Sequence, residues 1–306
     1  MTTLRKPTET ALVWVAGLIG HGATVVAAKG LREGGNPWSL QIEHEGRTIE
    51  AVLKTADPND PGGFATEIAA LRLADERRIG APRILGLDAT GSSAGTPAVL
   101  ETIVHGRSAI PVEPTPERLR VMGAAAAALH AITAEPSPEL PLRTRPISAS
   151  DFARERRLGA DHTTPLLAAA DVQITRLPMP VGRTGFVHGD LWQGNMMWDG
   201  DSLCGLLDWD MAGVGHYGID LCSLRLDAAL MFGQHAAEPV LAGWEQASGE
   251  RAENLAYWDA VAALNQPGDM AVFTPVIHDQ GRRDLTAAIL NERRDAFLQA
   301  ALDRLC

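Results

Sequence analysis

The sequence predicts an α+β chain in two unequal parts. Two observations carry that reading. Roughly the first hundred residues hold five short segments rich in branched and apolar side chains, with one long helical segment between the third and fourth. Beyond His105-Gly106-Arg107 the pattern changes to long helical stretches separated by prolines. At 306 residues and 45% hydrophobic content, the chain is long enough for one two-lobed domain or two small ones. The expected division is 1–104 and 105–306.

Residues 8–20 predict a short helix. Thr24–Lys29, Trp38–His44 and Thr48–Thr55 predict three strands, the first two joined by the turn Leu31–Pro37 and the next two by Glu45-Gly46-Arg47. Asp57-Pro58-Asn59-Asp60-Pro61-Gly62-Gly63 is a loop by every breaker rule. Phe64 to about Arg78 predicts the internal helix, with Ile68, Leu71 and Leu73 near one face, and Gly80-Ala81-Pro82 ends it. Arg83–Asp88 and Pro97–Val104 predict the last two strands. In the second part Glu117–Ile132 predicts a strong helix, and Asp151 is placed to cap another. Gly185-Phe186-Val187 is strand-like, and Met196–Asp199 with Leu203–Leu207 reads as a hairpin turned at Asp199-Gly200.

Composition excludes several classes. A formal net charge of −11 disfavours binding to nucleic acid, which needs a basic surface to neutralise phosphates. Cys204, Cys222 and Cys306 show neither metal-ligand spacing nor a paired framework, which fits a reducing, cytoplasmic setting. Leu4-Arg5-Lys6 followed by Ala11–Ile19 mimics a signal peptide, but Pro7 and Glu9 interrupt it, and a buried first helix is the expectation. No run reaches the ~18 apolar residues of a membrane span, so no membrane partner is expected.

The chemistry concentrates in Phe186-Val187-His188-Gly189-Asp190-Leu191-Trp192-Gln193-Gly194-Asn195 and Leu206-Leu207-Asp208-Trp209-Asp210. A carboxylate is followed five residues on by an amide, and thirteen residues later by a second carboxylate. The hairpin between them returns Asp208 beside Asn195, so that both can serve one hard cation through oxygen. Asp190, just past a strand, is placed to orient a hydroxyl or accept its proton.

This order resembles the His-Arg-Asp-x-x-x-x-Asn and Asp-Phe-Gly motifs of protein kinases, with Gly189 for the Arg and Trp209-Asp210 for the Phe-Gly. The variant is similar to the aminoglycoside phosphotransferase and choline kinase family, and its Gly-Asp-Leu-Trp-x-Gly-Asn string to the fructosamine kinase branch. The resemblance runs from the first strands to about residue 230. It implies a protein-kinase-like fold: a five-stranded antiparallel sheet with one helix, then a mainly helical catalytic and acceptor-binding lobe. It implies transfer of the ATP γ-phosphate to a small-molecule hydroxyl with Mg2+, Asp190 being catalytic and Asn195 and Asp208 the metal ligands. Lys54 then resembles the strand lysine that meets the nucleotide phosphates, and Glu67 its helix partner. Gly34 and Gly35 resemble the loop that covers the nucleotide, although Pro37 removes an amide there. Glu101-Thr102-Ile103 matches the hinge, where main-chain groups of Glu101 and Ile103 would bind adenine. His188 and Asp220 read as structural braces of the loop.

For the acceptor, Trp192 is placed to line the approach to Asp190, and Asp259 and Asp269 to supply the opposite wall for a basic nitrogen, with Trp258 offering a cation–π face. The competing expectation is that Trp258 is core and both carboxylates face water. Two other readings of the chain stand beside the kinase: a catalytically inactive nucleotide-binding regulator, and a metal-dependent hydrolase using Asp190, Asp208 and Asp210. The second leaves Lys54 and Glu67 unexplained. The acceptor, the choice of ATP or GTP and the oligomeric state are not written in the sequence.

Overall fold

A computed structural model describes residues 6–31, 36–56, 63–146 and 150–305, in two compact units, Met1–His105 and Gly106–Cys306. The predicted loop glycines Gly34 and Gly35 lie outside the described residues.

The first unit begins with helix α1 (Glu9–Ile19), capped by the Thr8 hydroxyl, which accepts from the amide of Ala11. Strands β1 (Thr24–Gly30), β2 (Trp38–His44) and β3 (Arg47–Thr55) follow, then helix α2 (Ala65–Glu76) and strands β4 (Ile84–Asp88) and β5 (Ala98–Thr102). All pairings are antiparallel, in the order β1-β2-β3-β5-β4. Strand periodicity assigns the two faces. Leu40, Ile42, Ala51, Leu53, Ala98 and Leu100 point one way, into a core closed by Ala11 and Val15 of α1. Lys54, Val99 and Glu101 therefore point the other way. Lys54 pairs with Val99 and Val52 with Glu101, which makes Lys54 and Glu101 diagonal neighbours on one face.

The second unit contains α3 (Pro116–His130), β6 (Leu142–Arg143), α4 (Phe152–Arg157), α5 (Pro165–Arg176) and β7 (Thr184–Val187), then β8 (Met196–Asp199), β9 (Ser202–Leu206) and β10 (Gly213–His216). Helices α6 (Gly218–Phe232), α7 (Ala237–Ser248), α8 (Leu255–Leu264), α9 (Thr274–Asp279) and α10 (Ala287–Asp303) complete it. β6, β10 and β7 form a small sheet, and β8 and β9 form the expected hairpin. Arg118 of α3 anchors that hairpin: its guanidinium lies 4.0 Å from the Trp198 ring centroid and donates to Gly200 O. The main core gathers α5, α6, α8 and α10 around buried Leu167, Leu226, Trp258 and Leu298.

α3 and α7 approach backbone to backbone. A Cβ on Gly123 would lie 1.9 Å from Val240 O, and one on Gly243 would lie 2.0 Å from Arg120 O. Only hydrogen fits at either position, so the alanine-rich face of α3 is a packing surface. Gly123→Ala should therefore destabilise the protein by about 1–3 kcal/mol through overpacking, although alanine is the better helix former. Urea unfolding followed by tryptophan fluorescence reads this directly, since Trp244 sits at the crossing; an unchanged midpoint would refute the packing argument.

Candidate active site

In the first unit, Lys54 lies between two buried carboxylates. Its ammonium pairs with Glu67 of α2, as the sequence order implies, and lies 3.6 Å from Glu101 Oε2. The Glu101 side chain is only 1% exposed. Beside the main-chain role expected of residues 101–103, Glu101 also turns its side chain toward Lys54. The parity of β3 and β5 was the signal that could have found it. Ile103 is the first residue beyond β5.

In the second unit, β7 delivers His188, Gly189 and Asp190 into a loop. Asp220, fully buried near the start of α6, accepts from the amides of His188 at 2.8 Å and Gly189 at 2.9 Å. A third donor is His130 of α3, whose Nε2 lies 3.2 Å from Asp220 Oδ2. The Trp244 indole N–H, a donor only, bonds His130 Nδ1 at 2.9 Å, so the His130 proton sits on Nε2 and points at Asp220. Burial alone would raise the Asp220 carboxyl, but the His130 bond, its neighbours and the loop amides hold it below its ordinary value. Gly189 is required by space: its φ is 82°, and a Cβ there would meet Met211 O at 2.0 Å.

The loop then turns through a 3-10 segment, Gln193–Asn195. Asn195 donates its side-chain amide to Asp190 O at 2.9 Å and to Asp190 Oδ2 at 3.3 Å. The hairpin returns as its spacing requires, with Leu207 N bonded to Asn195 O at 2.8 Å, which sets Asp208 next to that junction. The buried His188 ring binds Leu207 O through Nε2 at 2.9 Å, tying the same two segments together. Asp208 adopts a left-handed backbone, φ 66°, which is uncommon outside glycine and clusters at functional sites. Trp209 fixes that turn. It is fully buried, stacks on Phe186 with centroids 5.6 Å apart, and donates to Leu206 O.

Burial, and then the nearby charges of Asp208 and Asp210, push the Asp190 carboxyl up to about 7. The donors of this cluster are carboxylate and amide oxygens, suited to a hard cation. Among the described residues, no group of three His, Cys, Asp or Glu could hold a metal alone. An ion here would rest on Asn195 and Asp208 and take its other ligands from phosphate and water, the ordinary habit of magnesium.

A phosphotransferase enzyme family model matches residues 29–264. The chain belongs to that family. A homoserine kinase of Methylorubrum populi is 31% identical over 181 residues, covering 51% of each chain, so the chain spans about half the length of the curated relative it matches. A Ralstonia eutropha JMP134 protein provisionally described as an aminoglycoside phosphotransferase shares the fold, with TM-score 0.63, 16% identity and 98% of both chains covered. The macrolide 2'-phosphotransferase MphH of Brachybacterium faecium gives TM-score 0.60 at 17% identity, over 93% of this chain and 98% of its own. The five-stranded antiparallel sheet followed by helices is the protein-kinase-like architecture of this group.

The acceptor residues part company in the structure. Trp192 stays on the loop, half-buried against the main core. Asp259 is fully buried, and its oxygens are engaged by Arg225 at 3.1 Å and Arg304 at 2.7 Å. Asp269 is exposed and caps a 3-10 turn, accepting from Ala271 N and Asn291. Trp258 is core, stacked on His216. The geometry therefore gives Asp259 and Asp269 fold contacts in place of the expected acceptor wall; chain order put them near one another, but not their partners. Asp259→Ala should cost about 3–5 kcal/mol, because buried Arg225 would keep only the exposed Glu238 at 3.5 Å as a charge partner. Thermal unfolding tests this, and a variant as stable as the parent would return Asp259 to the pool of acceptor contacts.

Proposed function

We propose that this chain is a small-molecule kinase that moves the γ-phosphoryl group of ATP to a hydroxyl, with Mg2+. The observation that carries the reading is the bonded set Asp190–Asn195–Leu207/Asp208, held from behind by Asp220. Residues 1–104 form the nucleotide-binding lobe in this reading, and 105–306 the catalytic and acceptor lobe. Lys54, fixed by Glu67 and Glu101, meets the nucleotide phosphates. The Glu101–Ile103 segment supplies main-chain groups to the base, and Gly34-Gly35 covers the phosphates. Asp190 orients the acceptor hydroxyl and takes its proton as the new O–P bond forms and the bond to ADP breaks. Asn195 and Asp208 hold the magnesium ion, which when bound neutralises charge on the phosphates. Trp192 lines the acceptor approach. No helix among the described residues is long and apolar enough to cross a membrane, and free Cys204 and Cys222 suit a cytoplasmic setting.

The matched relative is a homoserine kinase, and one fold neighbour is a spectinomycin phosphotransferase described with ADP and spectinomycin. Both names point to a polar acceptor that carries both a hydroxyl and an amine, and this is the acceptor class we assign. The test is an acceptor screen with magnesium-ATP, spanning homoserine, choline, sugars, aminoglycosides and macrolides and read by product mass. A phosphorylated amino alcohol or aminoglycoside supports the assignment. Tight magnesium-ATP binding with no product from any acceptor would favour an inactive regulatory protein instead.

Variants separate the roles. Asp190→Asn should keep ATP affinity within a few-fold and lose ~10²-fold or more in turnover. Asp208→Asn should abolish the magnesium-linked tightening of ATP binding in calorimetry. Lys54→Ala should weaken binding and turnover together, since its charge meets phosphate before and during transfer. Asp190→Asn that loses ATP binding while Lys54→Ala keeps it would reverse the assignment.

A further inference from the structure

A second carboxylate on α6 reaches the loop. Asp227 lies seven residues after Asp220, two helical turns on and so on the same face. Asp220 takes the amides of His188 and Gly189, just before Asp190. Asp227 takes both N–H groups of Gln193, the backbone amide at 3.2 Å and Nε2 at 3.0 Å, just after it. Gln193 opens the 3-10 turn that ends at Asn195, and its carbonyl accepts the amide of Met196. Asn195 in turn donates to Asp190. Asp227 thus holds the first residue of the three-residue turn whose last residue, Asn195, donates to Asp190.

Resting on the phosphotransfer reading above, we propose that Asp227 is a positioning residue: with Gln193 it sets Asn195, and through Asn195 the carboxylate of Asp190, for magnesium-nucleotide.

The cost of the arrangement argues against a purely structural role. Asp227 is 6% exposed, and among the described residues no cation pairs with it. Burial pushes its carboxyl up to about 6, and the two Gln193 bonds offset this only in part. The Gln193 Oε1 is itself buried with no hydrogen-bond partner. It keeps that place because the opposite amide orientation would set oxygen against carboxylate. Leu226, Ala228 and Ala229 beside Asp227 are core residues, so a carboxylate without a cation among them is costly.

The test uses the full chain and the variants Asp227→Leu, Asp227→Asn and Gln193→Leu, with three measurements: thermal unfolding without ligand, ATP calorimetry over a magnesium series, and amide hydrogen exchange. Asp227→Leu, which leaves the N–H groups of Gln193 buried without an acceptor, should lower the Tm modestly and quicken exchange in peptides covering 193–196. It should also raise the magnesium concentration for half-maximal tightening of ATP binding by about ten-fold, the usual scale for groups that orient a metal ligand. Gln193→Leu should match it. Asp227→Asn should recover most of the effect, since an amide oxygen still accepts from Gln193. A lowered Tm with unchanged magnesium dependence and unchanged exchange at 193–196 overturns the proposal. A wild-type chain whose ATP binding ignores magnesium overturns both this role and the phosphotransfer reading. That failure shows in the parent protein, whereas failure of the Asp227 role shows only in the variants.

Discussion

The loop from His188 to Asn195 depends on one buried carboxylate. Asp220 is wholly inside the protein, where an ionised group is stable only if its oxygens are filled with donors. It receives two loop amides and an imidazole N–H, and the imidazole is oriented by an indole from another helix. Four elements, β7, α3, α6 and α7, therefore meet at a single charge. The alanine- and glycine-lined crossing of α3 and α7 belongs to the same device, because Trp244 reaches His130 only if the two helices lie close. Packing at Gly123 and Gly243 and hydrogen bonding at Asp220 are thus two parts of one constraint. It is rigid because neither the backbone contacts nor the tautomer has slack.

The first unit solves a comparable problem with an ammonium. Two carboxylates, Glu67 from α2 and Glu101 from β5, converge on Lys54. The lysine is thereby oriented within its own unit, so in the proposed role a phosphate would meet a charge fixed in place, with less side-chain entropy lost on binding.

Much of this was legible in the residues. The strands, the internal helix and the β8–β9 hairpin follow from period-two and period-3.6 patterning with glycine and proline punctuation. The loop was legible because its chemistry is local: Asp190, Asn195 and Asp208 are spaced by a turn and a hairpin. What was not legible depends on partners distant in sequence. Asp259 reads as an acceptor carboxylate until Arg225 and Arg304 are seen to close on it. Glu101 reads as a hinge main chain until sheet register places its side chain beside Lys54. Asp227 gave no signal at all, since an acidic residue within a helix is ordinarily a solvated one.

The buried carboxylates of the second unit sort by how their charge is met. Asp259 has two arginines, and Asp220 has three donors that overcome its burial. Both are compensated within the fold, and both fasten one element to another. Asp227 and the half-buried Asp190 differ: burial pushes each up, toward 6 and 7, and the charges of Asp208 and Asp210 add to the rise at Asp190. Uncompensated buried charge is costly and concentrates where function retains it. These two residues stand on either side of Gln193 and Asn195, one exposing its charge to whatever binds the loop, the other holding the loop in place. The two raised carboxyls are therefore not scattered through the core; they frame the segment that carries Asn195, one bonded to Asn195 and the other to Gln193.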